Sequence, residues 1–325
     1  MTNHSMVLAS AVLAVSCLVT DALAQTYPTK PIRVVVGFAP GGTTDILARE
    51  VGARMQESWG RAVLVENRPG VGGNIAAEVV AKAAPDGYTL LLTTNSLAIN
   101  PSLYAKLPYD VFNDFASITF MGSVANIVFA HPSLPARTMK ELIALAKSRP
   151  GQVTYGSGGV GTAPSLAVEL FKSLSKVNIV HVPYKGVPPV VQGVLSGELA
   201  LGVASVPSAG LPDHVKAGRL RGLAVTSAKR SKAVPDVPTM IESGFPGFDV
   251  AIWYGMLAPA GTAQDIVARL NKELIRILNL PVVRERMATF DFDIATSTPA
   301  EFADYIKREV AQWKKVVTEA GVKIN

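Results

Sequence analysis

Two segments of the chain share one design, in which an apolar, β-prone run ends in a glycine-rich loop and then opens a helix. The first leads from Ile32 into the loop at residues 39–45, and the second leads from Val153 into the loop at residues 156–162. Glycine lets backbone N–H groups come close to a ligand, and the first N–H groups of a helix have no partner inside it. Each unit is therefore a ready anion site, and the pair predicts one ligand held between two lobes.

The second loop also admits a nucleotide interpretation. Residues 156–161 fit G-x-G-x-x-G after a strand, but the dinucleotide fingerprint also needs an acid about 20 residues further on to hold a ribose. The next predicted strand ends instead in the segment 184–186, which reads Tyr-Lys-Gly. A phosphate P-loop needs Lys after its last glycine, where Thr43 and Thr162 stand. A nucleotide-dependent enzyme remains the alternative function, and two tight turns without a ligand remain the structural alternative.

Short β-branched runs alternate with helical patterns along the chain. The strands predicted in this way are residues 32–37, 62–66, 88–94, 153–155, 178–182, 199–204 and 220–226. Alternation of this kind requires parallel strands joined by right-handed crossovers. The apolar segment 115–130 is too long for one strand and too short for a membrane span, so it predicts a crossing into another domain, with a return at 250–259. We therefore expect an α/β fold in which domain 2 (124–250) is inserted into a discontinuous domain 1 (25–123 and 251–325).

The N-terminal residues 1–24 have the pattern of a secretory signal peptide. An apolar core from Met6 to Thr20 precedes Ala22-Leu23-Ala24, which has the small-x-small form of a cleavage site, although no Lys or Arg precedes the core. Cleavage after Ala24 would remove Cys17, the one cysteine of the chain, and so would exclude disulfides and thiol catalysis. We expect a periplasmic protein of about 300 residues, which is enough for two separate cores.

The polar residues form no recognisable catalytic or metal-binding set. His131, His181 and His214 have no metal-ligand spacing, and neither H-E-x-x-H nor G-x-S-x-G occurs. The formal net charge is +6, and Lys and Arg are scattered rather than clustered in a nucleic-acid track. We therefore expect a protein that is not an enzyme and that uses no cofactor, no metal and no nucleic acid.

A series of motifs, in order through the whole mature chain, resembles one protein family. The motifs are Tyr27-Pro28-Thr29-Lys30-Pro31-Ile32-Arg33, Pro40-Gly41-Gly42-x-x-Asp45, Glu66-Asn67-Arg68-Pro69-Gly70-x-Gly72-Gly73, Ala84-Pro85-Asp86-Gly87-Tyr88, Gly156-Ser157-Gly158-Gly159-x-Gly161-Thr162, Val182-Pro183-Tyr184-Lys185-Gly186, Leu223-Ala224-Val225-Thr226-Ser227, Asp236-Val237-Pro238-Thr239 and Trp253-Tyr254-Gly255. They resemble the Bug family, the extracytoplasmic solute receptors of tripartite tricarboxylate transporters. No single motif is decisive, but their ordered sum is strong.

The resemblance implies a type II-like periplasmic binding protein, in which two α/β domains close on a small carboxylate. The receptor would then deliver its ligand to the membrane permease subunits of the transporter. In the family, two loops grip one carboxylate, largely through backbone groups and ordered waters. That grip would fall on Gly41, Gly42, Thr43, Ser157, Gly158, Gly159 and Thr162. A β-branched residue at Gly42 or Gly158 is expected to abolish binding, because its Cβ would block both the backbone conformation and the ligand.

Further candidate ligand contacts lie near these loops, and each has a plainer structural interpretation. They are Phe38, Asp45, Asn95, Tyr184, Lys185, Ser205 and Trp253. Asp45 lies in the first turn of a helix, where a carboxylate is stabilised by about 0.3–1 kcal/mol, so bracing the loop is its favoured role. Direct contact would suit a ligand ammonium. Lys185 follows a strand and is either in the cleft or solvated, and the aromatic residues, with Tyr254, either line the ligand or fill the cores.

The chain departs from its relatives at positions where many of them carry polar groups. In place of His, Asp and Asp or Asn it has Ser165, Ala200 and Ala204. An apolar wall leaves extra ligand oxygens without hydrogen bonds, at about 1–3 kcal/mol each. This pattern predicts a ligand with one firmly held carboxylate on a largely apolar body, aromatic in the sharper form of the hypothesis. The alternative is that the aromatic residues fill cores and water fills the vacated positions.

Overall fold

The computed structural model describes residues 27–322, so the predicted signal peptide at residues 1–24 lies outside the described part of the chain. The strands are β1 Ile32–Val36, β2 Val63–Asn67, β3 Thr89–Thr94, β4 Phe115–Val124, β5 Asn126–Ala130, β6 Thr154–Ser157, β7 Val180–Pro183, β8 Leu201–Ser205, β9 Arg221–Val225, β10 Ile252–Pro259 and β11 Phe292–Asp293. The α-helices are α1 Thr43–Trp59, α2 Asn74–Ala81, α3 Ser96–Leu103, α4 Met139–Ser148, α5 Ala163–Ser175, α6 Val187–Leu195, α7 Leu211–Lys216, α8 Gln264–Leu278, α9 Pro281–Ala288 and α10 Pro299–Ala320.

The first sheet has six strands among the described residues, in the order β11-β4-β10-β3-β1-β2. Strand β1 pairs in parallel with β2 and β3, which confirms the pairing expected from the strand and helix alternation. Strand β10 pairs antiparallel with both β3 and β4, so the sheet is mixed. Helix α1 covers the sheet with Leu47, Val51 and Met55, all of them fully buried, as their helical spacing predicted.

The second sheet has five strands in the described part of the chain, in the order β7-β6-β8-β5-β9. Strands β7 and β8 are both parallel to β6, whereas β5 runs antiparallel to β8 and β9. The architecture is therefore two mixed α/β sheets. One hydrophobic cluster contains residues of both sheets and of α10, among them Val128 of β5, Leu257 of β10 and Trp313 of α10. Each sheet packs a further hydrophobic cluster on its other face.

The chain crosses between the sheets at the segment predicted for this role. Val124 ends β4 in the first sheet and Asn126 begins β5 in the second, with only Ala125 between them. Val124 pairs with Ile252 of β10, and Tyr254 of β10 pairs with Thr94 at the end of β3. In the second sheet Asn126 pairs with Ser205 at the end of β8, so the carboxyl ends of β3 and β8 both lie near this crossing. The carboxyl ends of the parallel strands of both sheets therefore converge on one place. Among residues 27–322, no helix combines the length and apolarity needed to cross a membrane.

Candidate functional site

The first glycine loop is braced by Asp45, which is 3% exposed. Its carboxylate accepts hydrogen bonds from the backbone N–H of Gly41 at 3.0 Å, from Asn67 Nδ2 at 2.9 Å and from Arg49 Nε at 3.0 Å. Burial by itself would raise the pKa of Asp45, but the hydrogen bonds from Arg49, Gly41 and Asn67 outweigh burial and lower it. Asp45 is therefore an ionised carboxylate whose oxygens are engaged by the loop that it holds.

The glycine requirement in this loop lies at Gly41 rather than at Gly42. Gly41 has φ of 84°, a conformation that favours glycine. Gly42 has φ of −79° and ψ of 165°, and an added Cβ would meet nothing nearer than Ala39 O at 3.7 Å. The expectation that a Cβ at Gly42 would block the backbone conformation is therefore wrong, because other residues adopt this conformation freely.

The N-terminus of α1 faces the same place without a side-chain cap. Gly42 is the N-cap residue, and no side chain of the described residues caps the helix there. The first N–H groups of the helix are therefore available to an anion, and the helix dipole adds partial positive charge. Thr43, which is half-buried, begins the helix.

Two neighbouring loops of the first sheet support this end of β1. A Cβ at Gly37 would lie 2.8 Å from the Cα of Gly73, so the two backbones touch. Phe38 is half-buried, and its carbonyl accepts a hydrogen bond from Asn67 Nδ2 at 3.0 Å. Asn95 follows β3, is 3% exposed, and donates from Nδ2 to the carbonyl of Ala251 at 3.1 Å. Asn95 thus holds the returning chain against the loops.

The second glycine loop is a compact hydrogen-bonded turn. Ser157 is fully buried, and the carbonyl of Gly159 accepts from Ser157 Oγ at 3.1 Å and from Thr162 Oγ1 at 2.9 Å. Gly159 has φ of 148°, which favours glycine. Thr162 is the N-cap of α5, and its side chain accepts from the N–H of Ser165. The loop therefore presents a second helix start with its own cap.

The loop after β7 closes over the second glycine loop. The N–H of Gly186 donates to the carbonyl of Gly158 at 3.1 Å, and a Cβ at Gly158 would lie 3.3 Å from the backbone of Gly186. Tyr184 is half-buried, and its hydroxyl donates to Glu198 Oε1 at 3.3 Å. Lys185 is exposed. The approach of these two backbones, rather than a positive φ, leaves little room for a side chain at Gly158.

Polar side chains lie together on one face of the second sheet, at the edge nearest the crossing. Asn126 pairs with Ser205, so their side chains share a face, and Ser205 Oγ lies 2.5 Å from Ser208 Oγ. Asn126 is fully buried, and its Nδ2 donates to Val250 O at 2.8 Å and to Thr226 Oγ1 at 3.2 Å. Its Oδ1 has no hydrogen-bond partner among the described residues. Asn126 thus grips the returning chain from the second sheet, as Asn95 does from the first.

His181 contacts the second glycine loop, although its spacing suggested no role. Its Nε2 lies 2.7 Å from Ser157 Oγ, and its ring stacks on Tyr155 with centroids 4.5 Å apart and planes inclined by 8°. Burial lowers the pKa of His181, Glu169 acts to raise it and Lys172 to lower it further. Periodicity within one strand could not reveal this contact, because it depends on the register in which β7 pairs with β6, where His181 is the partner of Tyr155.

Trp253 lies in the core, contrary to its proposed place beside the ligand. The side chain is 1% exposed, and its Nε1 donates to Glu309 Oε2 at 2.9 Å. Its ring packs edge-to-face on Phe302 with centroids 5.5 Å apart. Tyr254, on the opposite face of β10, is 4% exposed in the other cluster of this sheet. Glu309 and Phe302 hold Trp253 in its cluster, whereas Tyr254 packs on Phe292 with ring centroids 5.1 Å apart.

The positions where relatives carry polar groups do not form one vacated wall. Ala200 precedes β8, whereas Ser205 ends it, so Ala200 lies at the edge of the sheet away from the crossing. Ala204 is fully buried in the apolar cluster on the other face of the second sheet. Ser165 is 2% exposed and donates from Oγ to Thr162 O at 2.8 Å. Ala200 and Ala204 therefore no longer support the prediction of a largely apolar ligand.

A separate cavity of about 460 Å³ lies beside the crossing, between the β4–β11 side of the first sheet and the loop after β9. Asp249, Asp291 and Asp293 line it, and Asp291 accepts a hydrogen bond from Ser231 Oγ at 2.7 Å. Its Arg230 is already paired with Glu242 at 3.0 Å. Lys229 and Lys232 also line it, so the cavity carries three acidic and three basic side chains. The described residues hold no cluster of three or more His, Cys, Asp or Glu side chains that could bind a metal.

Comparison with known proteins gives consistent matches along the chain. The family model described as the tripartite tricarboxylate transporter family receptor matches residues 47–322. BugT of Bordetella pertussis is 36% identical over 314 residues, which cover 96% of each chain. A solved structure described as a periplasmic transporter is 40% identical with a TM-score of 0.76, and an R. palustris protein solved with adipate is 35% identical with a TM-score of 0.78. Both alignments cover 92% of this chain and 100% of the other.

Proposed function

Because this chain belongs to the tripartite tricarboxylate transporter receptor family, we propose that it holds a small carboxylate between its two glycine loops and delivers it to the permease subunits of such a transporter. The family consists of periplasmic solute-binding receptors and not of enzymes. The hypothesis of a nucleotide-dependent enzyme is therefore wrong.

One observation carries the proposed location of the carboxylate. The uncapped N-terminus of α1 and the glycine loop before α5 belong to different sheets, and both lie at the edges that meet at the crossing. Backbone N–H groups at helix starts favour an anion in this setting. We assign the grip to Gly41, Gly42 and Thr43 from one side and to Ser157, Gly158, Gly159 and Thr162 from the other.

We further propose that the two sheets belong to separate domains that close on the ligand. Domain 1 would comprise residues 25–123 and 251–325, and domain 2 residues 124–250, with the hinge at the two crossings. Asn95 and Asn126 hold the carbonyls of Ala251 and Val250 respectively, which supports a short hinge with one anchor on each side. Secretion would depend on the signal peptide at residues 1–24.

The ligand class that we favour is a carboxylate with a largely apolar, aliphatic body. Trp253 and Tyr254 are core residues, which leaves the half-buried Phe38 and Tyr184 as candidate aromatic walls and weakens the case for an aromatic acid. A relative of 35% identity was solved with adipate, a dicarboxylate whose carboxylates are joined by methylene groups. Each citrate oxygen that such a cleft buried without a hydrogen bond would cost about 1–3 kcal/mol.

The test is a thermal-shift and calorimetric panel of adipate, citrate, glutamate, benzoate and ATP. A ligand at 100 times its Kd stabilises the folded state by about 2.7 kcal/mol, which gives a clear rise in Tm. We expect adipate to bind more tightly than citrate and ATP not to bind. Tightest binding of citrate or glutamate would refute the ligand class, and binding of ATP alone would refute the function.

A pair of glycine variants tests the location of the site. Gly41 and Gly197 have φ of 84° and 79°, and an added Cβ at either position has no atom within 4 Å. The two backbone strains are thus matched, but Gly197 lies far from the crossing, between α6 and β8. Gly41→Val should abolish adipate binding and Gly197→Val should retain it. Equal affinities in the two variants would overturn the assignment.

A further inference from the structure

The hydrogen bond between Ser157 and His181 places a titratable group directly behind the second glycine loop. Ser157 Oγ is within hydrogen-bonding distance of three groups: His181 Nε2 at 2.7 Å, the carbonyl of Gly159 at 3.1 Å and the N–H of Gly159 at 3.3 Å. A hydroxyl has one proton to donate. The direction of this proton therefore depends on whether His181 Nε2 carries a hydrogen.

The protonated imidazolium permits only one arrangement. Both of its nitrogens are donors, so Nε2–H must donate to Ser157 Oγ, and the Ser157 hydroxyl must then donate to the carbonyl of Gly159. In the neutral ring with an unprotonated Nε2, the hydroxyl instead donates to Nε2. Protonation of His181 thus fixes the hydroxyl inside the loop and adds a positive charge one hydrogen bond away from it.

We propose that His181 is a positioning residue that orients the Ser157 hydroxyl and makes carboxylate binding tighter as the pH falls. The inference rests on the proposed function, because it assumes that the loop at residues 157–162 holds a carboxylate. An anion in the loop favours the charged form of the ring, and by linkage the charged ring favours the anion.

The surroundings of the ring allow it to act in this way. Tyr155 stacks on it from β6, and helix α5 supplies the charged groups Glu169 and Lys172. These two are paired at 2.8 Å, and Glu169 Oε1 also accepts from the Tyr155 hydroxyl at 2.6 Å, so their opposite charges largely cancel at the ring. Without ligand, burial keeps the pKa of His181 low and the ring neutral near pH 7. A bound carboxylate would raise that pKa, and affinity would increase where the liganded ring gains its proton.

The experiment measures adipate affinity by calorimetry between pH 8 and pH 5.5, and affinity and proton uptake are both corrected for the protonation of free adipate, whose second carboxyl group titrates near the lower end of this range. For the wild type we expect affinity to rise by about two- to fivefold towards pH 5.5, with proton uptake visible in buffers of different ionisation enthalpy. His181→Phe keeps a ring to stack on Tyr155 but cannot be protonated, and His181→Gln keeps hydrogen-bonding groups. Both variants should bind with a flat pH profile.

His131 supplies the matched control, because its Nδ1 also lies 2.6 Å from a serine hydroxyl, that of Ser133, outside the glycine loops. His131→Gln should keep the wild-type slope. A slope that survives in both His181 variants, or a flat wild-type profile, would overturn the proposal while leaving carboxylate binding itself intact.

A ligand-free measurement separates failure of this inference from failure of the proposed function. NMR titration of the His181 ring, assigned by its loss in His181→Gln, should give a different pKa in Ser157→Ala than in the wild type, because the hydrogen-bond partner is gone. An unchanged pKa would refute the coupling. Absence of adipate binding at every pH, together with a changed pKa, would instead refute the choice of ligand and preserve the coupling between Ser157 and His181.

Discussion

The bracing role of Asp45 leads to a quantitative prediction for Asp45→Asn. In the variant, an amide NH2 group replaces either Oδ2, which accepts from Gly41 and Arg49, or Oδ1, which accepts from Asn67, and the negative charge at the start of α1 is lost. A hydrogen bond to a charged group is worth about 1.5–3 kcal/mol and a charge in the first helical turn about 0.3–1 kcal/mol. Because the Arg49 side chain is 54% exposed, its share is reduced by solvent screening. We expect a total loss of about 1.5–3 kcal/mol at pH 7.

The direction of the Asp45 pKa shift determines how the stability difference between the wild type and Asp45→Asn changes with pH. The folded-state pKa of Asp45 is lowered, so its contribution is fully present above the unfolded value, near about 3.9, and is lost as the pH falls through the folded value. Urea unfolding followed by circular dichroism should therefore show a destabilised variant at pH 7 and a vanishing difference at acidic pH. Asp304, exposed and paired with Lys307 at 3.1 Å, is the control, and Asp304→Asn should change stability by less than about 1 kcal/mol.

Ligand binding distinguishes bracing from direct contact. If Asp45 only holds the loop, Asp45→Asn should weaken adipate and glutamate by similar factors, because both need the same turn at Gly41. If Asp45 touches a ligand ammonium, the loss should be confined to glutamate. Unchanged stability at pH 7, or a loss that persists undiminished in acid, would refute the reasoning.

Three further predictions concern single positions. Gly42→Ala should fold with stability within about 1 kcal/mol of the wild type, because its φ of −79° suits alanine, so calorimetry would then report ligand approach alone. Trp253→Phe should lower the free energy of unfolding by about 1–3 kcal/mol through the lost bond to Glu309, without changing which carboxylate binds; a changed ligand order would contradict the core assignment. Asn126→Asp should lose about 3 kcal/mol or more of unfolding free energy at pH 7, because a buried carboxylate would face the carbonyl that Asn126 now holds. The variant should regain stability as the pH falls, and urea unfolding that showed it to be less stable in acid than at pH 7 would contradict this reasoning.

Much of the fold could be predicted from local pattern. Strand and helix periodicity and the capping box at Thr298 depend on neighbours in the chain, and the structure confirms them. The apolar segment 115–130 passes from the first sheet to the second, as a crossing requires, while the division into two domains stays a prediction. The two glycine loops could also be predicted from local sequence, because glycines between a strand and a helix start indicate a tight turn. Parallel pairing of β1 with its neighbours followed from the same alternation.

The orientation and partners of individual side chains were decided by tertiary structure. Trp253 turns inward because Glu309, 56 residues away, satisfies its indole N–H, and Ala200 leaves the site because the register of β8 places it at the far edge. Likewise, Ser157 meets His181 only because β6 and β7 pair in one register. Periodicity within one segment states which residues share a face, but which face is buried, and against what, depends on segments that the chain brings together only when it folds.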